Sequence, residues 1–335
     1  MISPTRLSLT EIEAAMQLID PVFLHSPQFV SEPLSAELGL SLLCKIETLN
    51  PIRSFKGRGA DFLMARLSPS ITQLVCASAG NFGQGLAYAA RRRGKSLQVF
   101  AANSANPLKL ERMRDLGAKV TLSGRDLDEA KDAAKAFALR NAFTFIEDGR
   151  EPAISEGAAT IAVELTQAST QPALQLDAPL DAPLDAPLNA LVVPLGNGAL
   201  LSGIGTWFKV HSPATRLIGV GMTGAPAMEQ SWRTNQLVQT NNVRTIADGI
   251  AVRVPVPEAL KDLAVVVDDV WLIEDDDLLA AMRSAHQHLG LVLEPAGAVG
   301  LAAIMKRRDE LAGQNVGTIL CGGNLTEEQR RRWLN

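Results

Sequence analysis

Residues 50–60 read Asn50-Pro51-Ile52-Arg53-Ser54-Phe55-Lys56-Gly57-Arg58-Gly59-Ala60, and this stretch joins an apolar, strand-like segment to a helix-like one. Lys56 stands among small and turn-forming residues, so its amine could reach a ligand held close to the backbone. Most lysines are simply exposed surface residues. Glycine-rich loops elsewhere in the chain must therefore decide between a surface lysine and a functional one.

Strand-like and helix-like segments alternate along most of the chain. The predicted strands cover residues 74–77, 97–101, 120–122, 143–146, 191–193, 217–220 and 317–320. The predicted helices cover residues 83–93, 107–116, 127–139, 153–165, 201–210, 275–289 and 296–307, and Asp126 is expected to cap the third of them. Alternation of this kind predicts an α/β fold with mostly parallel sheets, in which ligands bind beyond the carboxyl ends of the strands.

The composition argues against several classes of protein. The net charge of −4 at pH 7 disfavours a nucleic-acid partner, which would need a basic face on the protein. The cysteines, Cys44, Cys76 and Cys321, form no CxxC pair, so neither a disulfide framework nor a zinc site is indicated. The N-terminus lacks a signal-peptide pattern and no apolar run is long enough to span a bilayer. We therefore expect a soluble, cytoplasmic protein with no membrane partner.

Three glycine-rich loops follow predicted strands. The first, Ser78-Ala79-Gly80-Asn81-Phe82-Gly83-Gln84-Gly85, opens a helix, and helix N-terminal N–H groups can bind an anion such as a substrate carboxylate. The second, residues 194–203, also opens a helix and suits a phosphate, but Leu201 stands where a dinucleotide fingerprint needs its third glycine. The third, Cys321-Gly322-Gly323-Asn324, offers either a thiol for a ring nitrogen or a small buried apolar residue.

Taken together, these segments resemble the serine/threonine dehydratase family of pyridoxal-phosphate enzymes, in the fold type II group related to the tryptophan synthase β-subunit. The resemblance includes Glu47-Thr48-Leu49-Asn50, Asp248-Gly249-Ile250-Ala251-Val252 and Glu294-Pro295-Ala296-Gly297-Ala298. It implies two three-layer α/β/α domains with mostly parallel, twisted sheets. We expect a large cofactor-binding domain from residues 1–70 and 147–335 and a small domain from residues 71–146. A Pro-rich loop insert is expected at 174–189, where Asp-Ala-Pro-Leu occurs three times in succession.

The resemblance also implies a role for each motif residue. Lys56 would form a Schiff base with pyridoxal 5′-phosphate, and Phe55 would pack beside the cofactor ring. The residues implied to bind the phosphate through backbone N–H groups are Gly196, Asn197, Gly198, Ala199 and Leu200. Further cofactor contacts are implied for Asn81, Gly249, Glu294, Gly322 and, at the pyridine nitrogen, Cys321. The residues implied to contact the substrate are Ser78, Ala79, Gly80, Asn81 and Asp248.

Several positions depart from the family pattern. The phosphate loop usually has four consecutive glycines, whereas side chains at Asn197 and Ala199 restrict positive φ angles here. Ala79 replaces the serine that acts as the second acid/base in eukaryotic-type serine racemases, which argues against racemisation. Some members bind a divalent cation at positions that look like Gly221 and Ala227 in this chain, so no metal site is expected.

The activity implied by the resemblance is a β-elimination carried out by a homodimer. We expect L-threonine, L-serine or both to become 2-oxobutanoate or pyruvate plus ammonia, with the Lys56 amine taking the Cα proton. Alternatives with the same cofactor are an ammonia-lyase for 3-hydroxyaspartate or diaminopropionate, a β-replacement enzyme of the cysteine-synthase kind, and a serine racemase. An alternative from another class is a non-catalytic, cofactor-free binding protein of the same fold.

Overall fold

A computed structural model describes residues 5–168 and 187–334 of the chain. The strands in these residues are β1 (Gln28–Val30), β2 (Ser41–Ile46), β3 (Gln73–Ala77), β4 (Ser96–Ala101), β5 (Lys119–Leu122), β6 (Thr144–Ile146), β7 (Ala190–Pro194), β8 (Arg216–Met222), β9 (Asp269–Ile273) and β10 (Asn315–Leu320). The helices are α1 (Leu9–Leu18), α2 (Glu32–Leu38), α3 (Lys56–Arg66), α4 (Asn81–Arg92), α5 (Pro107–Asp115), α6 (Leu127–Asn141), α7 (Pro152–Ala158), α8 (Thr160–Ala168), α9 (Ala199–His211), α10 (Ala227–Thr234), α11 (Pro257–Val266), α12 (Asp275–Leu289), α13 (Pro295–Lys306) and α14 (Glu327–Leu334).

The strands form two sheets. The larger sheet has the order β1-β2-β10-β7-β8-β9, and β1 pairs antiparallel with β2 while the other described pairings are parallel. The smaller sheet has the order β5-β4-β3-β6 and is parallel throughout. The predicted α/β class with mostly parallel sheets is therefore confirmed.

Helices cover both faces of the larger sheet, and its central strand β7 shows how. All five residues of β7 are buried, as is typical of parallel strands covered on both sides. Val192 packs in a core with residues of α12 and α13. Its neighbours Leu191 and Val193 point the other way and pack with residues of α8 and α9. This alternation gives the sheet two separate hydrophobic cores.

The smaller sheet is built in the same way. Leu74 and Cys76 of β3 pack in one core with residues of α3 and α4. Val75, between them, packs with Ala130 and Ala134 of α6 in another. Strands β3 to β6 lie between residues 73 and 146, which supports the predicted small domain at 71–146, although the division into domains stays a prediction.

The structure corrects one predicted helix. Residues 153–165 do not form a single helix, because α7 ends at Ala158 and α8 begins at Thr160. The Thr160 hydroxyl donates a hydrogen bond of 2.7 Å to the Gly157 carbonyl, and such a side-chain bond competes with the backbone bonds that continue a helix.

Two further observations concern the limits of the described residues. Most of the predicted loop insert at 174–189, up to residue 186, lies outside them. Within them, none of the helices has the length and apolar character that a membrane span requires.

Candidate active site

A pocket lies at the carboxyl ends of four strands, β3 and β6 of the smaller sheet and β7 and β10 of the larger one, as expected for an α/β fold. Its empty volume, including the open mouth, is about 880 Å³. The predicted site residues that line it are Phe55, Lys56, Ser78, Ala79, Gly80, Asn81, Gly196, Asn197, Gly198, Ala199, Leu200, Asp248, Gly249, Glu294 and Cys321. Gly322 follows directly on Cys321 without being one of the lining residues. The structure thus brings the predicted residues together, while their roles remain predictions.

The turn that carries Lys56 is held by hydrogen bonds to the third glycine-rich loop. The Phe55 N–H donates to the Cys321 carbonyl at 3.2 Å, and the Gly323 N–H donates to the Arg53 carbonyl at 3.0 Å. Asn50 stabilises the turn, because its Oδ1 accepts hydrogen bonds from the N–H groups of Ile52 and Ser54. Lys56 is the first residue of α3, so its backbone is fixed from both sides.

The Lys56 amine reaches into the pocket and contacts a carboxylate there. Its Nζ lies 2.6 Å from Oδ2 of Asp148, and the two side chains are only 15% and 12% exposed. Nζ also lies 4.9 Å from the centre of the Phe55 ring and 5.8 Å from that of Phe82. Lys56 is therefore a largely buried lysine and not a surface one.

The first glycine-rich loop is held by its own polar side chains. Oγ of Ser78 accepts the N–H groups of Gly80 at 3.2 Å and Gly83 at 2.9 Å. The Asn81 amide donates to Oε1 of Glu294, and its Oδ1 accepts from Asn324 at 2.8 Å. The side-chain oxygens of Ser78 and Asn81 thus shape the loop, and the unpaired N–H groups at the start of α4 are left for an anion.

The second loop presents the N-terminus of α9 to the pocket. Gly198 occupies the N-cap position with φ of +90° and, having no side chain, does not cap the helix. The N–H groups of the first turn therefore lack a capping acceptor. A phosphate is the kind of anion that such a helix N-terminus binds.

Lys109, which the sequence did not single out, lies in the pocket between two carboxylates. Its Nζ is 2.8 Å from Oδ2 of Asp248 and 3.2 Å from Oε2 of Glu294. Burial alone would lower the pKa of the Lys109 ammonium, but Glu294 and Asp248 raise it above its usual value. Burial raises the pKa of the Glu294 carboxyl, against the opposing charge of Lys109. Lys109 thus has both carboxylates as ion-pair partners.

Cys321 follows directly on β10 and lines the pocket as a neutral group. Its thiol is buried, and Sγ lies 3.5 Å from the Ala296 carbonyl. Burial raises the pKa of the Cys321 thiol far above its usual value, so it is protonated at neutral pH.

Sequence reasoning missed two charged residues of the pocket, Asp148 and Lys109. Asp148 follows the end of β6, so the rule that ligands bind beyond strand ends could have indicated it. Lys109 belongs to α5, and the Asn106-Pro107 pair before it indicates only a helix start. The packing of α5 against the pocket is what reveals it.

Three observations fit pyridoxal phosphate as the ligand of this pocket. The uncapped N-terminus of α9 suits the phosphate. Lys56 supplies an amine to the same pocket, and Cys321 supplies a neutral thiol. A Cβ at position 322 would lie 2.2 Å from Oε1 of Glu294, so a side chain there would push this pocket carboxylate aside. The residues that would hold the group are therefore present.

Comparison with known proteins agrees with this chemistry. A family model described as pyridoxal-phosphate dependent enzyme matches residues 21–322. The L-threonine ammonia-lyase of Geobacter sulfurreducens is 33% identical over 305 residues, which are 90% of this chain and 70% of that protein. The biosynthetic L-threonine dehydratase of Bacillus subtilis is 30% identical over 324 residues, which are 95% of this chain and 73% of that protein.

A solved structure extends the agreement to the fold. The processed form of threonine deaminase isoform 2 from Solanum lycopersicum superposes with a TM-score of 0.84 at 28% identity. The superposition covers 98% of this chain and 94% of that one. The predicted fold type II architecture is confirmed by this likeness.

Proposed function

The chain belongs to the family of pyridoxal-phosphate dependent enzymes, and from this premise we propose that it deaminates L-threonine and L-serine by β-elimination. The products are 2-oxobutanoate or pyruvate, together with ammonia. The observation that carries the proposal is the position of the Lys56 amine, which projects into a pocket between two helix N-termini. The named relatives, a threonine ammonia-lyase and a threonine dehydratase, support this choice of substrate.

Each part of the pocket has a task in such a reaction. Pyridoxal phosphate, when bound, supplies the electron sink that makes the Cα proton acidic. The N–H groups at the start of α9 hold the phosphate, and those at the start of α4 orient the substrate carboxylate. The Lys56 Nζ then accepts the Cα proton. Cys321 would present a neutral thiol and so would add no charge beside the cofactor ring.

Elimination is favoured over racemisation by the residue at position 79. A racemase needs a second group that exchanges a proton on the face opposite the lysine. Ala79 lines the pocket and has no exchangeable proton. Lys56 is therefore proposed to act alone on the Cα proton, as a lyase requires.

Replacing Lys56 tests the proposal directly. Lys56→Ala should lose the covalent cofactor and lower kcat for L-threonine by about 10²–10⁴-fold or more, since both the attachment point and the base are gone. Borohydride reduction followed by mass spectrometry should find the cofactor on Lys56 of the wild type, and 2-oxobutanoate should be measured with ammonia.

A matched control is Lys209→Ala. Lys209 pairs with Asp268 at 2.7 Å on the surface, and its loss should leave both cofactor attachment and turnover unchanged. Full ammonia release by Lys56→Ala, or a cofactor attached to another lysine, would contradict the proposal.

We also propose that the enzyme works as a homodimer in the cytoplasm. Its resemblance to the dehydratase family supports the dimer. The cysteines Cys44, Cys76 and Cys321 are unpaired and buried, which suits a reducing compartment. Sedimentation of the holoprotein at several concentrations would test the dimer, and a monomeric mass throughout would refute it.

A further inference from the structure

One carboxylate oxygen of Asp148 forms an ion pair with Lys56, and the other has no hydrogen-bond partner among the described residues. Oδ2 lies 2.6 Å from the Lys56 Nζ. Oδ1 is buried, and among the described residues it accepts no hydrogen bond. Buried acceptors in folded proteins nearly always have a partner. Asp148 therefore carries an acceptor atom to which none of the described residues donates a hydrogen bond.

The loop around Asp148 fixes the direction of this carboxylate. Gly149 has φ of +84°, and a Cβ there would lie 2.6 Å from the Asn197 carbonyl, so the loop rests directly on the second glycine-rich loop. The side chain of the neighbouring Glu147 does not line the pocket. Its carboxylate pairs instead with Lys131 at 3.1 Å and Lys135 at 3.4 Å. Asp148 is thus the acidic residue of this loop that lines the pocket.

Among the described residues that line the pocket, no further cation is free to pair with a second carboxylate on the substrate. Among the described residues that line it, the basic ones are Lys56 and Lys109. Lys109 is already paired with Asp248 and Glu294. Lys56 is the proposed attachment point of the cofactor. A substrate with a negative group on Cβ would meet Asp148 without a compensating cation.

The distance over which Asp148 acts follows from the proposed role of Lys56. A base stands about 3–3.5 Å from the atom it deprotonates, and Asp148 Oδ2 is 2.6 Å from Nζ. The carboxylate is therefore within about 6 Å of the substrate Cα, since the two separations add at most. In a largely buried pocket, charges at this distance interact strongly.

We propose that Asp148 is a specificity residue, which admits amino acids with a neutral or cationic substituent on Cβ and excludes those with a second carboxylate. This inference rests on the proposed function and narrows it: hydroxy amino acids such as threonine and serine are accepted, and 3-hydroxyaspartate is rejected. The charge of Asp148 is the property that discriminates, so an isosteric neutral side chain should remove the discrimination.

Binding of two unreactive amino acids to the holoprotein tests the proposal without turnover. L-2-aminobutyrate and L-aspartate have no group that can leave from Cβ by this reaction, so their dissociation constants can be read from the change in cofactor absorbance. The wild type should prefer L-2-aminobutyrate. In Asp148→Asn the preference should fall about tenfold or more, because the repulsion is gone while the shape is kept.

Glu147→Gln is the matched control, since it removes a carboxylate from the adjacent position that faces Lys131 and Lys135 instead of the pocket. The preference should not change in this variant. Asp148→Ser serves as the second neutral variant if Asp148→Asn binds cofactor poorly, and it should show the same fall.

Three results would overturn the inference: equal binding of both amino acids by the wild type, an unchanged preference in the neutral variants, or an equal fall in Glu147→Gln. Each can occur in an enzyme that still converts L-threonine. A wild-type protein without cofactor absorbance or 2-oxobutanoate formation would instead contradict the proposed function.

Discussion

At the scale of single residues, one glycine preserves the geometry of the second loop. The sequence led us to expect that side chains at Asn197 and Ala199 would restrict the loop, because related loops have glycine there. Of the residues 196–200, Gly198 is the one with a positive φ angle. Asn197 and Ala199 fall where any L-residue fits, so their side chains do not by themselves strain the backbone.

This finding predicts the effect of Gly198→Ala. The substitution should cost about 1–2 kcal/mol of folding free energy, because an L-residue is strained at this φ. Its Cβ would also lie 3.1 Å from Leu263. The start of α9 should shift, and we expect the dissociation constant for pyridoxal phosphate, measured by fluorescence titration, to rise about tenfold.

Gly39→Ala provides the control for this experiment. Gly39 also has a positive φ of +67°, with nothing within 4 Å of the position that a Cβ would take. It should lose a similar amount of stability and keep the wild-type affinity for the cofactor. Equal cofactor affinity in the two variants would mean that Gly198 matters for folding alone.

The pocket residues that could be predicted are those with a local sequence signal. Lys56 and the three loops stand out through glycines placed after strands. Asp148 also follows a strand and precedes Gly149, but its importance comes from Lys56, which meets it across the pocket. Lys109 has no such signal, because the carboxylates that meet it come from elsewhere in the chain. The sequence does not reveal such long-range pairs, and it did not reveal that Asn81 is engaged by Glu294 and Asn324.

At the scale of elements, helix ends that depend on local chemistry could be predicted, whereas those that depend on tertiary packing could not. Asp126 caps α6 as expected, with its Oδ1 accepting the Glu129 N–H at 2.9 Å. The break between α7 and α8 was not predicted, because it lies where helices pack very closely. A Cβ on Gly203 of α9 would lie 2.1 Å from the Ser155 carbonyl of α7. Such contacts are set by the tertiary structure.

A buried ion network joins the elements around Lys56. Arg58 of α3 donates to Glu47 at 2.8 Å and to Glu164 of α8 at 2.6 Å. Lys45 of β2 lies 2.5 Å from the same Glu164. Burial alone would raise the pKa of Glu164, but the bonds and charges of Arg58 and Lys45 lower it from 4.5 to about 2. The network thus keeps an ionised carboxylate inside the protein.

Glu164→Gln should therefore be strongly destabilised at neutral pH. Removing one partner leaves Arg58 and Lys45 buried with less compensation, which costs about 3–5 kcal/mol. Because the folded-state pKa is depressed, the wild type keeps this stabilisation above pH 4.5 and loses it as pH falls toward about 2. Urea unfolding at several pH values should show that the difference in unfolding free energy between wild type and Glu164→Gln becomes smaller over that range. A difference that stays constant with pH would refute this account of Glu164.

At the scale of the whole molecule, the pocket draws on both sheets. The loop after β3 and Asp148 after β6 come from the smaller sheet. The loops after β7 and β10 come from the larger one. A ligand that contacts all of them holds the two sheets together, so its binding free energy adds to the stability of the entire fold.

The unfolding temperature should consequently rise with the concentration of pyridoxal phosphate. At a free concentration one hundred times the dissociation constant, the expected stabilisation is about 2.7 kcal/mol at 25 °C. Calorimetry of apoprotein with increasing cofactor would measure it. Pyridoxal without phosphate should stabilise less, and equal stabilisation by both compounds would mean that the α9 N-terminus does not hold the phosphate.

The hydrogen bonds from the Lys56 turn to the Cys321 loop also bear on how the protein is made. On the ribosome, β2 and the Lys56 turn emerge long before β10, which pairs with β2. Until then β2 lacks a partner on one side, and the lysine lacks the loop that fixes its turn. The nascent chain would therefore carry its proposed reactive amine without a finished site around it.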